Sequence, residues 1–270
     1  MIKFQLCSES DNPILNPKYI ANIKHDGRRV IVSKEGNNIT LFGRDSINPE
    51  NYLEIVTAFQ NINSNFVVDC EFVVFTDDIK TDRGLLQSKD KTKDKFKIGL
   101  LRNLYPATAV IFDILEFNGQ DLKDEEYYKR KRQLLSIFTN FSFDIQKSKD
   151  PIKVAMDLEP KAAWELAQNH QLEGIVEKDK NSKYSGLRNN DWIKIKRKFL
   201  VTIKFTGYEV QNAGITLTSP EGHRVACNGE KHIKVKELID KQGFANCRAR
   251  AMQKTESGRY REIVFYDLEE

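Results

Sequence analysis

The segment 65–75, NFVVDCEFVVF, restricts what this chain can fold into more than any other stretch of the sequence. Its β-branched and aromatic residues predict a strand. Because side chains alternate along a strand, Asp69 and Glu71 share one face, and the neighbouring Val68 and Phe72 share the other. Two carboxylates therefore interrupt a strand that should be buried. Either this is an edge strand with a solvated face, or the carboxylates belong to a functional site.

Other short β-rich runs surround this segment; they lie at 19–23, 28–32, 38–44, 109–119, 172–179 and 191–196. The turn-forming KEGNN between the second and third runs indicates a hairpin. In the last run, period two places Trp192, Lys194 and Lys196 on one face, which is too cationic to be a core face. We therefore expect sheets in which some strand positions that would otherwise be apolar carry charged side chains.

Helical periodicity follows the third run. Ser46 or Asn48 is expected to cap a helix there, and Leu53, Val56 and Phe59 recur at the spacing of a stripe that faces a core.

Two later segments also predict helices, 121–138 with Asp124 as its N-cap and 160–172. The lysine-rich segment 78–104 is expected to be a polar surface excursion.

Composition limits the class of protein. The chain has 270 residues, of which 40% are hydrophobic and 30% charged, so it can bury a core in one large domain or two smaller ones. No apolar run approaches the roughly 18 residues of a membrane span, and the amino terminus lacks a secretory apolar region. Four scattered cysteines suggest neither disulfides nor a zinc site. We expect a cytoplasmic protein without a membrane partner.

The balance of charge and the predicted secondary structure both change near Arg197. From there to the end, 13 Lys and Arg face 10 Asp and Glu, whereas residues 1–196 are nearly neutral within a total charge of +4. Short strands, turns and one small helix follow the boundary, which suits a compact five-stranded barrel of the oligonucleotide-binding (OB) type. The predicted domains are therefore 1–196 and 197–270.

Several charged residues fall on predicted strands or at their ends. If they converge, their cations and carboxylates form the kind of pocket that a polyphosphate with a divalent metal requires. Lys24 is the candidate nucleophile, because Gly27 lets the backbone approach a ligand closely and Asp26 could orient the amine. We expect burial or neighbouring cations to depress the pKa of Lys24 and yield a neutral amine. His25 is expected to be a bystander.

An ordered series of short motifs extends this pattern. The segments are KHDGRR at 24–29, FGRD at 42–45, VDCEFV at 68–73, FDIL at 112–115, EGIVEK at 173–178 and WIKIK at 192–196. In this order they resemble motifs I, Ia, III, IIIa, IV and V of the covalent nucleotidyltransferases, and most of all those of small ATP-dependent DNA ligases. The resemblance implies an α+β fold, in which an ATP-grasp-like ligase (nucleotidyltransferase) domain with antiparallel sheets and flanking helices precedes an OB-fold barrel.

The resemblance also implies a mechanism. Lys24 would attack the α-phosphate of ATP and carry AMP, with Asp26, Lys194 and Lys196 as further catalytic residues, and Glu71 and Glu173 would hold Mg²⁺. AMP would then pass to the 5′-phosphate of a nick in duplex DNA, and the 3′-hydroxyl would displace it. The implied nucleotide-binding residues are Lys24, Arg29, Arg44, Glu71, Phe112, Glu173, Lys178, Lys194 and Lys196. Phe112 would stack on adenine, and Arg29 and Arg44 would contact the ribose or the 5′-phosphate of the nick.

Some positions depart from the family pattern. Asn22 replaces a glutamate that many members use to contact adenine, although an amide can still accept a hydrogen bond. The arginine of a closing motif VI is missing, and we expect Arg248, Arg259 or Arg261 to take its role.

Only 23 residues precede Lys24, too few for a DNA-clasping or nicotinamide-binding module. This favours ATP over NAD and a minimal, monomeric enzyme of viral, phage or accessory-repair type. Its grip on DNA would come from the basic second domain and the lysines of 89–97, and would weaken with salt.

Two alternatives remain. One is an RNA ligase or a GTP-dependent capping nucleotidyltransferase, which shares the covalent chemistry. The other is a non-catalytic protein whose OB fold binds nucleic acid.

Overall fold

The computed structural model describes residues 3–146, 149–252, 254 and 258–269, and the chain divides into two compact units, Met1–Ile195 and Lys196–Glu270. The strands of the first unit are β1 Leu6–Ser10, β2 Tyr19–Lys24, β3 Arg28–Glu35, β4 Asn38–Phe42, β5 Phe66–Val74, β6 Ala107–Phe117, β7 Gln120–Asp121, β8 Ile152–Val154, β9 Gly174–Asp179 and β10 Arg188–Lys196. Its helices are a 3₁₀ helix at Pro49–Tyr52, α1 Leu53–Gln60, α2 Arg83–Lys91, α3 Lys95–Leu104, α4 Tyr127–Ile137 and α5 Pro160–Asn169.

Two sheets organise the first unit. A 4-stranded sheet has the order β1-β10-β9-β2, and a 6-stranded sheet has the order β4-β3-β5-β6-β7 with β8 beside β6. Most neighbours are antiparallel, but β1 pairs with β10 and β8 with β6 in parallel. The predicted antiparallel sheets are thus mixed, because β1 and β8 each add a parallel neighbour.

Strand β5 occupies the centre of the 6-stranded sheet, between β3 and β6. The edge-strand interpretation is therefore wrong. Val68, Cys70 and Phe72 belong to the main hydrophobic core as expected, and Asp69 on the opposite face is fully buried. A carboxylate buried in a central strand requires a partner.

The helix after the hairpin covers one face of this sheet. The Asn48 side chain caps its 3₁₀ first turn by accepting a hydrogen bond from the Glu50 amide. Tyr52, Ile55 and Phe59 are buried, whereas Leu53 is 39% exposed. Placing Leu53 in the core is thus wrong, because the 3₁₀ turn shifts the phase of the helix that follows.

The lysine-rich segment is helical rather than an irregular excursion. Asp82 caps α2 by accepting from the Leu85 amide, and Asp94 caps α3 by accepting from the Lys97 amide. Asp124 does not cap α4 as predicted, since the N-cap position of that helix is Glu126.

The second unit contains β11 Phe199–Phe205, β12 Gly207–Gln211, β13 Gly214–Thr218, β14 Arg224–Asn228, α6 Lys231–Gln242, β15 Ala245–Ala251 and β16 Val264–Leu268. Its two 3-stranded sheets have the orders β11-β15-β16 and β12-β13-β14. One hydrophobic cluster joins residues from both sheets with Val235 and Ile239 of α6. Across the described residues of both units, no helix is long and apolar enough to cross a membrane.

Candidate active site

Lys24 is the last residue of β2, where the chain leaves the 4-stranded sheet and enters the 6-stranded one. In the registers of the two sheets, Lys24 lies opposite Gly174 and Arg29 lies opposite Glu71. The turn between β2 and β3 contains Gly27, where an added Cβ would lie 2.3 Å from the Phe72 carbonyl oxygen. The lysine-aspartate-glycine sequence is therefore the crossing between two sheets, and only glycine allows the crossing to be this close.

Carboxylates surround the Lys24 amine. Its Nζ donates to Oε1 of Glu173 at 2.6 Å. Burial acts to lower the pKa of Lys24, but Glu173, Glu71 and Asp26 outweigh it, and the net effect raises the pKa above its ordinary value. The expectation of a neutral amine is therefore wrong for this arrangement, because anions rather than cations are its nearest neighbours.

Glu71 projects from β5 toward the same amine. Burial raises the pKa of its carboxyl group to about 7, although Lys24, Arg29 and Arg83 act to lower it. Arg83 was not among the residues predicted for the site. It belongs to a lysine-rich segment in which nothing in the sequence separates it from surface charge.

Asn22 lies in β2, two residues before Lys24, and is 3% exposed. Its side-chain amide donates to the Met156 carbonyl oxygen at 2.9 Å and to Asp157 Oδ1 at 2.8 Å. These bonds fix the side-chain orientation. Its Oδ1 is buried and has no hydrogen-bond partner among the described residues. The site thus holds a fixed, unused acceptor, which an amino group of a ligand would satisfy.

Arg29 is the centre of a buried network. It donates to both carboxylate oxygens of Asp69, at 3.0 and 2.7 Å, and to the Gln5 carbonyl oxygen at 2.6 Å. The Tyr184 hydroxyl donates to Asp69 at 2.6 Å. In this structure these donors neutralise the buried carboxylate of β5, and the contact of Arg29 with ribose or a 5′-phosphate stays a prediction.

Phe112 and Lys178 lie in one aromatic cluster. The Lys178 Nζ is 4.6 Å from the Phe112 ring centroid, 4.8 Å from that of Tyr127 and 4.3 Å from that of Trp192. Burial lowers the pKa of Lys178 to about 7. Trp192 is 2% exposed, so the cationic face predicted for β10 carries a buried aromatic residue at this end.

The remaining predicted cations have carboxylate partners or stand apart. Lys194 pairs with Glu9 at 3.0 Å, and Lys196, the first residue of the second unit, pairs with Glu262 at 2.6 Å. Arg44 is exposed just after β4, and no contact recorded within the described ranges links it to Lys24.

His25 is more than a bystander. Its Nε2 lies 2.9 Å from Oδ2 of Asp144, and both side chains are buried. The other carboxylate oxygen of Asp144 accepts from the Met156 amide at 2.9 Å. Met156 is thus held both by this pair and by Asn22, which ties the segment after β8 to the strand that carries Lys24. A sequence pattern gives no signal for a partner 119 residues away.

The carboxylates can serve a metal only together with other ligands. In the described part of the chain, no three His, Cys, Asp or Glu side chains are grouped so as to hold an ion. Magnesium in nucleotide sites commonly uses one or two carboxylates plus phosphate oxygens. Glu71 and Glu173, which both act on the Lys24 amine, fit that donor set.

The Lys24 amine at the crossing of the two sheets is thus faced by two carboxylates and lies two residues from an unused amide acceptor, within a mixed α+β domain. The family model for the ATP dependent DNA ligase domain matches residues 6–196, and the chain belongs to this family.

Curated relatives agree with this membership. The chain is 27% identical over 223 residues to the bifunctional non-homologous end joining protein LigD of Bacillus subtilis. The matched region covers 77% of this chain and 36% of that relative. It also matches a probable DNA ligase of Dictyoglomus turgidum at 29% identity, over 65% of this chain and 30% of that protein. The chain thus spans about a third of the length of these relatives.

Solved structures share the fold. A mycobacterial DNA ligase D complexed with ATP and MES superposes with a TM-score of 0.60 at 18% identity, covering 99% of this chain and 95% of that one. A Lig E DNA ligase, described as binding DNA with a minimal scaffold, superposes with a TM-score of 0.63 at 13% identity, covering 100% of both chains. The neighbours have mixed sheets and helices, as this chain does.

Proposed function

We propose that this chain is an ATP-dependent DNA ligase that seals 5′-phosphate/3′-hydroxyl nicks in duplex DNA. The observation that carries the proposal is the Lys24 amine at the crossing of two sheets, 2.6 Å from Glu173 and within the field of Glu71, in a member of the DNA ligase domain family. A lysine fixed between carboxylates is suited to a substrate whose phosphates bring a divalent cation with them.

In the first step, Lys24 Nζ attacks the α-phosphorus of ATP. The charged amine must first give up one proton, because an ammonium has no lone pair with which to attack. Glu173 Oε1, which accepts a hydrogen bond from Nζ at 2.6 Å, would take this proton and holds the amine in place until then. The N–P bond then forms as the bond from phosphorus to the pyrophosphate oxygen breaks, and the nitrogen loses a second proton to solvent or to the leaving pyrophosphate. Asp26 belongs to the same electrostatic group and favours the charged form of Lys24 before ATP arrives.

The adenosine would occupy the region around Asn22 and Phe112. Oδ1 of Asn22 would accept from the adenine amino group, and the Phe112 ring would supply a stacking surface. Lys178 is held against the same ring by its hydrogen bond to the Phe112 carbonyl oxygen at 3.2 Å. Its role would be to fix this wall beside the nucleotide.

Glu71 and Glu173 would hold Mg²⁺ together with phosphate oxygens. When bound, the ion supplies positive charge that offsets the carboxylates and the charge developing on the phosphates. Lys194 and Lys196 would neutralise the α-phosphate after exchanging Glu9 and Glu262 for it. Arg44, exposed beside the first hairpin, would contact the 5′-phosphate of the nick. Arg29 would act indirectly, by fixing Asp69.

AMP then passes from Lys24 to the 5′-phosphate, which forms a phosphoanhydride and regenerates the amine. The 3′-hydroxyl attacks that activated phosphorus, AMP leaves, and the strand is closed. Both steps are displacements at phosphorus, so the residues act mainly by placement and charge compensation.

The second unit would have an OB fold and contact DNA as a basic module of a monomeric, cytoplasmic enzyme. Support comes from β11 and β12, which are interrupted only at Thr206 and belong to different sheets, and from the contact between β14 and β16. A chain that turns from one sheet into the other in this way is typical of small barrels.

The test is a label transfer. Purified protein is mixed with Mg²⁺ and α-labelled ATP, GTP or NAD, and adducts are resolved under denaturing conditions with and without nicked DNA. We expect an adduct with ATP, its loss in Lys24→Ala, and its discharge on nicked DNA. Lys18→Ala is the matched control, because Lys18 precedes the same strand and pairs with Asp179 outside the site. An adduct with GTP, or discharge only on RNA ends, would support the capping or RNA-ligase alternative, and no adduct would support a non-catalytic protein.

A further inference from the structure

Arg83, the first residue of α2, has one guanidinium nitrogen that stands out in the described part of the chain. Its Nη1 is buried and has no hydrogen-bond partner among the residues that the structure describes. A guanidinium nitrogen withdrawn from water without an acceptor is costly, and native structures usually satisfy such a group with an ion, a water or a ligand.

Arg83 is directed to the site by the loop that precedes it. After β5 the chain makes a short return in which Phe75 pairs with Thr81 and the Asp82 amide donates to the Val74 carbonyl oxygen at 2.9 Å. The Asp26 amide donates to the Thr81 hydroxyl at 3.4 Å. This loop therefore lies against both the strand that carries Glu71 and the turn that follows Lys24.

Within the described residues, neither Asp82 nor Glu71 accepts a hydrogen bond from Nη1 of Arg83. The carboxylate of Asp82 caps α2 through the Leu85 amide at 2.9 Å. Glu71 is close enough for Arg83 to lower its pKa, and within the described residues the two form no ion pair. Arg83 thus adds positive charge beside Glu71 without being paired with it.

We propose that Arg83 is an additional phosphate-binding residue of this site, with Nη1 donating to a phosphate oxygen of the substrate. The inference rests on the proposed function and deepens it. A planar guanidinium that approaches a phosphate from beside Glu71 complements Lys24, which serves the reacting phosphorus. Two substrates carry such an oxygen: ATP in its β- and γ-phosphates, and the nick in its 5′-phosphate.

The experiment separates the two sources. Arg83→Gln and Arg83→Lys are compared with the wild type in three assays: single-turnover label transfer from ATP to Lys24, transfer of AMP from pre-loaded enzyme to a nicked 5′-phosphate, and binding of inorganic pyrophosphate by calorimetry. Loss of one charge-assisted hydrogen bond predicts a roughly 10- to 100-fold decrease in kcat/KM for Arg83→Gln in the affected assay, and a smaller decrease for Arg83→Lys. Lys80→Ala removes an exposed cation of the same loop and is the control.

Each outcome of these assays either assigns Arg83 to one phosphate or overturns the inference. A decrease confined to the ATP assay, with weaker pyrophosphate binding, assigns Arg83 to the ATP phosphates. A decrease confined to the transfer assay assigns it to the 5′-phosphate. Unchanged rates in both assays, or equal losses in Lys80→Ala, would overturn the inference while leaving the function intact. Equal losses in all assays with a lowered melting temperature would also overturn it, because Arg83 would then support only the fold. If wild-type protein forms no adduct at all, the proposed function itself is wrong.

Discussion

Gly27→Ala should disable the site through geometry alone. An added Cβ would lie 2.3 Å from the Phe72 carbonyl oxygen, 2.7 Å from Cγ of Glu71 and 2.7 Å from Cγ1 of Val73. The carbonyl belongs to a central strand of the 6-stranded sheet and cannot rotate away as a side-chain tip could. The turn that begins at Lys24 must therefore move instead.

The size of the effect follows from the overlap. Ordinary non-bonded contacts need about 3.5 Å, so the turn must shift by roughly 1 Å. Inserting a methyl group into a packed position typically costs about 1–3 kcal/mol. A misplacement of about 1 Å at a reacting group can reduce its rate about 100-fold. We expect Gly27→Ala to fold with lower stability and to form the Lys24 adduct about two orders of magnitude more slowly.

Single-turnover adduct formation and urea unfolding measure the two effects separately. Gly99→Ala is the matched control, because Gly99 lies within α3 and an added Cβ there meets nothing within 4 Å. The control should be about 1 kcal/mol more stable, since alanine favours helix over glycine by that amount, and it should react at the wild-type rate. Adduct formation within threefold of wild type in Gly27→Ala would refute the reasoning.

Three further predictions concern buried polar groups. Burial raises the pKa of Glu71 from 4.5 to about 7, so between these pH values the native state binds more protons than the unfolded state. The free energy of unfolding measured in urea should therefore fall by about 3 kcal/mol as the pH rises from 4.5 to about 7. Glu71→Gln should abolish this pH-dependent part of the stability. Asn22→Ala removes the unused acceptor, so KM for ATP in adduct formation should rise about tenfold. Arg130→Met leaves the fully buried Asp113 without its ion-pair partner and should cost about 3–5 kcal/mol in urea unfolding; Arg224→Met, which breaks an exposed pair, should leave the unfolding midpoint unchanged.

Local chemistry made much of the fold predictable. The alternation in segment 65–75 placed Val68 and Phe72 in the core, and the structure confirms that placement. The hairpin at KEGNN and the Asn48 cap are also confirmed, because turns and caps depend on residues within a few positions of each other. The capped helices α2 and α3 were missed because abundant lysines obscured the aspartates that start them.

Partners that are distant along the chain were not predictable. Asp144 lies 119 residues from His25, and Asp113 lies 17 residues before Arg130 on a different element. The motif that contains Arg29 gives no sign of its two hydrogen bonds to Asp69, which lies on the neighbouring strand β5. A charge at a strand position shows that a partner is required, but a single sequence does not show whether the partner is protein or substrate.

The charge of Lys24 follows from the same limitation. Its motif suggested a depressed pKa, yet the registers of both sheets bring carboxylates to it, through Gly174 next to Glu173 and through Arg29 opposite Glu71. A protonated amine has no lone pair for attack, so in the proposed mechanism Glu173 would keep Lys24 oriented and unreactive until positive charge arrives with the substrate. On the proposed mechanism, selectivity for a metal-bound polyphosphate needs no separate conformational change. The same ligand brings the phosphorus that Lys24 attacks and the metal charge that draws the carboxylates away from the amine.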